Sequence, residues 1–157
     1  MAHCEWYIHS PIGPLRLEET DGFVTGLWFC AGQPTPPPTD CPSPLLAEAA
    51  RQLQEYFAGR RAEFELPLRA DGTDFQKAVW VVMDQIPYGQ TRTYGQLAAT
   101  LGKPGAARAV GGACHNNPIG IFQPCHRVVG ANGHLTGFAG GLEVKQQLLA
   151  LESKHTR

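Results

Sequence analysis

The sequence predicts an α+β fold, in which a small N-terminal α/β domain precedes a mostly helical C-terminal domain. Extended apolar runs separated by turns occupy the first half, and apolar residues at helical spacing dominate the second. The charges divide at the same place. Residues 1–73 carry five Arg and Lys against ten Asp and Glu, a net charge of −5, whereas residues 74–157 carry eight against four, a net charge of +4. This asymmetry, hidden in a total of −1, hints that the second half faces a polyanion.

The N-terminal domain, predicted over residues 1–70, begins with three strands. Extended runs at 6–9 and 15–18 flank the turn-forming Ser-Pro-Ile-Gly-Pro at 10–14, which indicates a hairpin. A further extended run at 23–29 predicts the third strand. This part of the chain is therefore expected to form a small sheet.

A proline-rich segment and a helix follow the three strands. Six of the 13 prolines fall within residues 31–44, which predicts a loop without regular structure. From Leu46 onward apolar residues recur at helical spacing, and Gly59 is a typical helix end. Residues 62–68 predict another strand, and a link near 69–73 leads into the second domain.

The C-terminal domain, predicted over residues 74–157, contains the same helix-start signal twice. Thr73 is followed three residues later by Gln76, and Thr93 is followed in the same way by Gln96. Each pair can form a reciprocal cap, in which both side chains bond to backbone N–H groups at the start of a helix.

Two short helices are predicted at 94–101 and 106–115, joined by a Gly-Lys-Pro-Gly turn. This arrangement is typical of a helix-turn-helix, although any antiparallel helix pair would show the same pattern. The second helix carries one long polar side chain, Arg108, among Ala and Gly. Small residues permit close backbone approach, which suits shallow, sequence-neutral contact with DNA or, alternatively, tight packing against a neighbouring helix.

Composition excludes several classes of protein. The longest apolar run, at 78–83, is far too short to span a bilayer, and the N-terminus has no basic flank followed by an apolar segment. Five scattered cysteines are an odd number, which favours a reducing cytosol over a disulfide framework. We therefore expect a cytoplasmic protein that has no membrane partner.

A Pro-Cys-His-Arg run is the strongest candidate for a reactive segment. Cys125 becomes a good nucleophile only as a thiolate, which needs a base such as His126. Neighbouring strand residues point to opposite faces, so a direct contact requires an irregular backbone, which Pro124 favours, or a bridging water. A carboxylate should hold His126 in one tautomer, and Glu143 and Glu152 in the last predicted helix are the candidates.

These segments together resemble the O6-alkylguanine-DNA alkyltransferases, with a match that runs nearly continuously from Thr73 to Glu152. The run Pro-Cys-His-Arg-Val at 124–128 is highly specific in this setting. The other matching motifs are Tyr-Gly at 88–89, Thr-Tyr-Gly-Gln-Leu-Ala at 93–98, Ala-Ala-Arg-Ala-Val-Gly at 106–111, Asn-Pro at 117–118 and Gly-Gly-Leu at 140–142.

The resemblance implies both a fold and a function. It implies a ribonuclease H-like N-terminal domain and a winged helix-turn-helix-like C-terminal domain. The implied partner is double-stranded DNA containing O6-alkylguanine, bound through the minor groove by a monomer. The implied reaction moves a methyl or small alkyl group from O6 of guanine, and also from O4 of thymine, to Cys125. It proceeds once per molecule and needs no cofactor.

The resemblance also assigns roles to the residues that match its catalytic motifs. Cys125 matches the nucleophile, His126 the water-linked base and Glu152 the carboxylate behind that base. Tyr94 matches a phenol placed to protonate N3 of the leaving guanine, which is a poor leaving group as an anion. Asn117 matches the asparagine that ties the helix-turn-helix to the active-site segment, and it is also a candidate helix C-cap before a proline.

For DNA and base recognition, Arg108 matches the arginine that enters the duplex in place of the flipped base. The small residues around it that are expected to face the DNA are Ala106, Ala107, Ala109 and Gly111. The base pocket is expected to include main-chain groups near Val128 and Ala139 and the ring of Phe138. Phe138 departs from the family, which usually has Tyr there, so a phenol hydrogen bond is lost.

The Cys-His-Glu set is also compatible with two alternative functions. The first is a lesion-binding relative without transfer activity, but proteins of that kind replace the cysteine. The second is a Cys-His-Glu hydrolase, which would need an oxyanion hole and repeated turnover.

Some relatives in the family hold a structural zinc in the first domain. We predict no metal, because Cys4, Cys30 and Cys41 lack close paired spacing.

Overall fold

A computed structural model describes residues 3–30, 43–135, 138 and 140–155. The strands are β1 (His3–Ile8), β2 (Leu15–Thr20), β3 (Phe23–Phe29), β4 (Arg92–Thr93) and β5 (Val128–Val129). The helices are α1 (Pro44–Phe57), α2 (Asp74–Met83), α3 (Tyr94–Thr100), α4 (Ala107–His115) and α5 (Leu142–His155), and Cys125–Arg127 and Ala131–Gly133 form single 3-10 turns. None of the helices in these residues is long and apolar enough to cross a membrane.

The N-terminal strands form an antiparallel sheet in the order β1-β2-β3. The predicted hairpin is confirmed, with Ile8 opposite Leu15 and a tight turn in which Gly13 has a φ of 100°. Leu15 and Leu17 alternate toward the core and are fully buried, as expected for a strand with one solvated face. The sheet thereby packs this face against α1, whose Leu46 and Leu53 are also fully buried.

Helix α1 begins earlier than the sequence predicts. The side chain of Ser43 caps it by accepting a hydrogen bond from the backbone N–H of Leu46, and Pro44 occupies the first turn. Proline suits that position because its missing N–H would have no partner there. The predicted loop at 31–44 is therefore wrong at its last residue, Pro44, and residues 31–42 lie outside the described part of the chain.

The strand predicted at 62–68 is not formed. The amide side chain of Gln52 donates to the carbonyl of Glu65 at 3.2 Å and accepts from the N–H of Glu65 at 2.9 Å. These two bonds take the place of a strand ladder, and the segment meets the sheet only at an isolated bridge between Val24 and Leu68.

Both predicted helix-start signals are confirmed. The hydroxyl of Thr73 accepts from the N–H of Gln76, and the side chain of Gln76 accepts from the N–H of Thr73. Thr93 and Gln96 form the same reciprocal cap at the start of α3. This motif is read correctly from sequence because all its atoms lie within four residues.

Helices α2, α3 and α4 pack together as a helical unit. The indole N–H of Trp80 in α2 donates to the carbonyl of Ala113 in α4 at 2.8 Å. The turn between α3 and α4 includes Gly102, which has a φ of 75°. The predicted pair of short helices joined by a glycine-containing turn is thus confirmed, and α4 leaves Arg108 exposed.

The segment that leads to Cys125 is held between the two halves of the chain. The N–H of Leu27 in β3 donates to the carbonyl of Pro118 at 2.8 Å, and Leu27 forms a bridge with Ile119. On the other side, β5 pairs in parallel with β4. The backbone before Cys125 is irregular, as Pro124 favours: the chain turns at Ile121, whose φ is 73°, and enters a 3-10 turn at Cys125.

Candidate active site

A pocket of about 310 Å³ opens beside Cys125. Its walls include β3, Tyr94 at the start of α3, Cys114 at the end of α4, and Phe138. Cys125 is 8% exposed, so a reactant reaches its thiol through this pocket. The backbone passes close to the sulfur at Gly120, where an added Cβ would lie 3.3 Å from Sγ.

The thiol of Cys125 is held in its protonated form. Burial raises its pKa to about 11, and the nearby Lys145 and backbone amide groups lower that value only in part. A thiol with this pKa is uncharged at neutral pH. It must therefore pass its proton to a base as it attacks.

On the other side of the Cys125–Arg127 turn, the buried carboxylate of Glu152 accepts hydrogen bonds from several donors, five of which belong to the described residues Tyr56, Gly89, His126 and Arg127. Oε2 of Glu152 accepts from Nε2 of His126 at 2.6 Å, from the hydroxyl of Tyr56 at 2.6 Å and from Nη2 of Arg127 at 3.0 Å. Oε1 accepts from Nε of Arg127 at 2.8 Å and from the N–H of Gly89 at 3.2 Å. His126 is fully buried and Glu152 is 1% exposed, so solvent does not weaken these bonds.

These donors determine the charges in the network. Burial alone would raise the pKa of Glu152, but the bonds from His126, Arg127 and Tyr56 hold it at about 2. Burial lowers the pKa of His126 and favours the neutral ring, against the opposing pull of Glu152. Since Nε2 donates its proton to an ionised carboxylate, Nδ1 carries the lone pair. Nδ1 is buried and has no hydrogen-bond partner among the described residues, so it is the nitrogen left to accept a proton.

Tyr94 lines the Cys125 pocket and contacts a buried lysine. Nζ of Lys145 in α5 donates to the hydroxyl of Tyr94 at 3.5 Å and lies 5.8 Å from the centre of its ring. Lys145 is fully buried, and burial lowers its pKa, while the thiols of Cys125 and Cys114 act in the opposite direction. The lysine thus couples the phenol and the thiol electrostatically.

Asn117 connects the end of α4 to the loop that precedes Cys125. Its Oδ1 accepts from the N–H of Ile119 at 2.9 Å, and its Nδ2 donates to the side chain of Gln123. The C-cap residue of α4 is Asn116, so the alternative of Asn117 as the C-cap is wrong. The Asn117 side chain instead shapes the turn that follows the cap.

The small-residue helix lies next to the same tyrosine. A shallow pocket of about 380 Å³ is lined by residues of α3 and α4 that include Tyr94, Ala107 and Arg108. Arg108 and Ala109 are exposed, while Ala106, Ala107 and Gly111 are half-buried. Tyr94 therefore lines both this shallow pocket and the Cys125 pocket.

Of the predicted base-pocket residues that the structure describes, one lines the pocket and one does not. Phe138 lines the pocket and packs against Phe29, with ring centroids 5.3 Å apart. The side chain of Val128 is fully buried in β5, paired with Arg92, and is not one of the pocket-lining groups. Ala139 lies outside the described residues.

Comparison with known protein families matches nearly the whole chain. The family profile described as 6-O-methylguanine DNA methyltransferase, ribonuclease-like domain, covers residues 4–70. The profile of the DNA binding domain of the same proteins covers residues 74–154. The chain belongs to the 6-O-methylguanine DNA methyltransferase family.

Individual members of this methyltransferase family agree with this chain in length and fold. A methylated-DNA–protein-cysteine methyltransferase of Methanosarcina barkeri is 48% identical over 156 residues, which cover 96% of this chain and 97% of that protein. The crystal structure of the Mycobacterium tuberculosis O6-methylguanine methyltransferase superposes with a TM-score of 0.87 at 44% identity, covering 99% of this chain and 96% of that one. A crystal structure of the M. tuberculosis protein in complex with DNA gives 0.83 at 46% identity, covering 95% and 92%. The predicted α+β fold, with its ribonuclease-like first part and DNA-binding second part, is confirmed.

Three buried polar residues of this methyltransferase site are not identified by the sequence analysis. Tyr56 lies at one of the apolar positions of the predicted helix that follows Leu46, and Arg127 lies within the Pro-Cys-His-Arg run, so neither is assigned a role from the sequence. Lys145 is not singled out at all. A signal exists for the lysine, because Lys145 and Glu152 lie three before and four after the buried Leu148 on one face of α5. Charged residues on the apolar face of a helix indicate a buried polar site.

Among the residues that the structure describes, no cluster of metal ligands includes a cysteine. Within the described ranges, the one group of three or more His, Cys, Asp or Glu side chains that brings its ligand atoms together consists of His3, Glu5 and Glu18. His3 and Glu5 are exposed, and Glu18 on β2 is partly exposed. Cys4, Cys30, Cys114 and Cys125 are free thiols.

Proposed function

We propose that this chain repairs alkylated DNA by moving a methyl or small alkyl group from O6 of guanine to Cys125. The observation that carries the proposal is the position of the Cys125 thiol. It lies in a pocket lined by the Tyr94 phenol, directly beside a buried His126–Glu152 pair. The names of the relatives describe the same overall transfer, from methylated DNA to a protein cysteine.

The proposed transfer is an in-line displacement at the alkyl carbon. Sulfur forms a bond to that carbon while the bond between the carbon and O6 breaks, and its electron pair stays with the guanine. Nδ1 of His126 takes the thiol proton through a bridging water, and the Tyr94 phenol protonates N3 of the departing base. The products are unmodified guanine and an S-alkyl cysteine, so no cofactor is required. Because the thioether is not reversed, each molecule acts once.

Delivery of the lesion is proposed to occur through α4. Its Ala and Gly residues allow the backbone to approach the minor groove of a duplex, and Arg108 is exposed at its start. An arginine that enters the stack replaces the extruded base, at an extrusion cost of about a few kcal/mol. We propose that the chain acts as a monomer, with residues 74–157 carrying DNA binding and transfer and residues 1–70 forming the other domain, and that O4-methylthymine is a second substrate.

A single-turnover experiment tests this function. The protein is incubated with a duplex containing isotope-labelled O6-methylguanine, digested, and analysed by mass spectrometry. We expect a gain of one methylene equivalent on the peptide that contains Cys125. Cys114→Ala, which removes the other thiol of the same pocket, is the matched control and should still accept the label, whereas Cys125→Ala should not.

The two alternative functions give different results in this experiment. A lesion-binding protein without transfer activity would retain the duplex without any mass gain. A Cys-His-Glu hydrolase would release the label and turn over more than once. Demethylation by Cys125→Ala would contradict the assignment of the nucleophile.

A further inference from the structure

We propose that Tyr56, which belongs to the acidic N-terminal half, is a positioning residue for the transfer reaction, because it determines how strongly Glu152 holds His126. The inference rests on the proposed function, since it concerns the same base. It also gives the N-terminal half a part in the chemistry of the C-terminal half.

The proposal depends on two donors that share one oxygen atom. The Tyr56 hydroxyl and Nε2 of His126 both lie 2.6 Å from Oε2 of Glu152, and the hydroxyl oxygen lies 3.4 Å from Nε2. Burial and the adjacent carboxylate raise the pKa of Tyr56, so the hydroxyl keeps its proton and donates it to Glu152. Tyr56 is fully buried, so water does not replace it in this role.

A shared acceptor makes the two donors compete. The negative charge that Oε2 offers to the Tyr56 hydroxyl is not fully available to His126. Loss of the hydroxyl should therefore strengthen the bond between Glu152 and the imidazolium, which makes His126 harder to deprotonate. Among the described residues, the groups that act on His126 are Glu152 and Lys145 from α5, Arg127 beside it, and Tyr56 from α1. Cys125 is its other neighbour in the chain.

A purely structural role for Tyr56 would rest on its ring. The ring contacts Phe57, Phe64 and Tyr88, with centroids 5.4, 5.4 and 6.2 Å away. Tyr56→Phe keeps these contacts and removes only the hydroxyl. Tyr88→Phe is the matched control, because Tyr88 stands in the same cluster and its buried hydroxyl has no hydrogen-bond partner among the described residues.

The test measures the single-turnover transfer rate of each variant as a function of pH. For Tyr56→Phe we expect the acidic limb of the pH–rate profile to move to higher pH by about half a pH unit or more. At a pH below the midpoint this corresponds to a loss of about threefold in rate. The rate at high pH should change little. Tyr88→Phe should follow the wild-type curve. No displacement for Tyr56→Phe, or an equal one for Tyr88→Phe, would overturn the proposal.

A second measurement separates this inference from the proposed function. The titration of His126 is followed by NMR in the full-length protein with labelled histidine and without DNA. Tyr56→Phe should raise its pKa, and the same substitution in a Glu152→Gln background should have no such effect. A shift that persists without the carboxylate would contradict an action through Glu152. A wild-type protein that transfers no alkyl group would instead contradict the proposed function, and the NMR result would still decide the role of Tyr56.

Discussion

The two sides of the Cys125–Arg127 turn differ in how completely their polar groups are bonded. On the pocket side, burial holds the Cys125 thiol in its neutral form at the wall of an open cavity. On the network side, Glu152 is almost completely buried and accepts hydrogen bonds from Tyr56, Gly89, His126 and Arg127. The reactive thiol is thus left to be activated, while the carboxylate behind its base is already bonded. Loss of the buried Glu152 charge should mainly change stability, and mutations on the pocket side should mainly change rate.

The largest effect is expected from Glu152→Gln. It leaves Arg127 buried at 7% exposure without its counter-charge, and breaking a buried pair in this way costs about 3–5 kcal/mol. Urea denaturation should show this loss of unfolding free energy. Glu143→Gln, an exposed substitution on the same helix, is the control and should change it by less than about 0.5 kcal/mol. Equal losses of unfolding free energy for the two variants would contradict a special contribution of the buried Glu152 network to stability.

Acid should also destabilise the network side. Glu152 has a pKa of about 2 in the folded protein against an ordinary 4.5, so its contribution is complete above pH 4.5 and is lost as the pH falls toward 2. That shift corresponds to roughly 3 kcal/mol. The pKa of His126 is lowered below 6.5, so protonation of the unfolded chain begins to cost stability below that pH. Urea denaturation from pH 7 to pH 3 should show this decline, and Glu152→Gln should flatten the part below 4.5.

On the pocket side, Tyr94→Phe should reduce the transfer rate about 100-fold, the usual contribution of a positioned general acid. Its cost in stability should be no more than about 1 kcal/mol, because the bond that its hydroxyl accepts from Lys145 is long, at 3.5 Å. Single-turnover kinetics and urea denaturation measure the two quantities. A variant that loses stability but keeps its transfer rate would show that Tyr94 supports the fold, as Glu152 does, and does not take part in the transfer.

A smaller effect on the pocket side is expected from Gly120→Ala. The new Cβ would lie 3.3 Å from Sγ of Cys125 and 3.7 Å from the ring of Phe29, so the sulfur must shift by a few tenths of an ångström. Misplacement of a nucleophile on this scale should cost about tenfold in rate. Gly105→Ala, in the turn before α4, is the control; its Cβ meets no heavy atom within 4 Å, and the variant should transfer at the wild-type rate. A normal rate for Gly120→Ala would show that the pocket tolerates movement of the thiol.

The smallest effect concerns the surface that leads into the pocket. Arg127 and Lys145 account for part of the positive charge of the second half, but both are buried and do not contact phosphate. DNA binding should therefore be weak and moderately salt-sensitive. Arg108→Ala should lower the slope of log affinity against log salt by about one. Arg51→Ala on α1 is the control and should leave the slope unchanged, whereas a wild-type slope typical of about ten phosphate contacts would contradict the prediction.

Sequence reasoning succeeded where a structure depends on neighbouring residues. The caps at Thr73 and Thr93 and the hairpin before Leu15 are local, and all three are present. The prediction of a strand at 62–68 is wrong because a distant side chain, that of Gln52, forms hydrogen bonds with the backbone N–H and carbonyl of Glu65.

The candidate site shows the same division. The residues alone place Cys125 beside His126 and leave Glu143 and Glu152 as candidates for the carboxylate, and only the family resemblance selects Glu152. Choosing between them requires knowledge of which face of α5 is buried. Tyr56 was missed for the same reason, because its partner Glu152 lies 96 positions further along the chain.

The contacts at β3 and α1 bear on how the molecule unfolds. The backbone bond from Leu27 to Pro118 and the side-chain bond from Tyr56 to Glu152 both join the first half of the sequence to the second. A single hydrophobic core also runs through both halves, from Leu15 to Leu148. Partial opening of either half would expose apolar surface and break bonds in the other. The chain should therefore lose its structure in one cooperative transition, with the active site as stable as the protein as a whole.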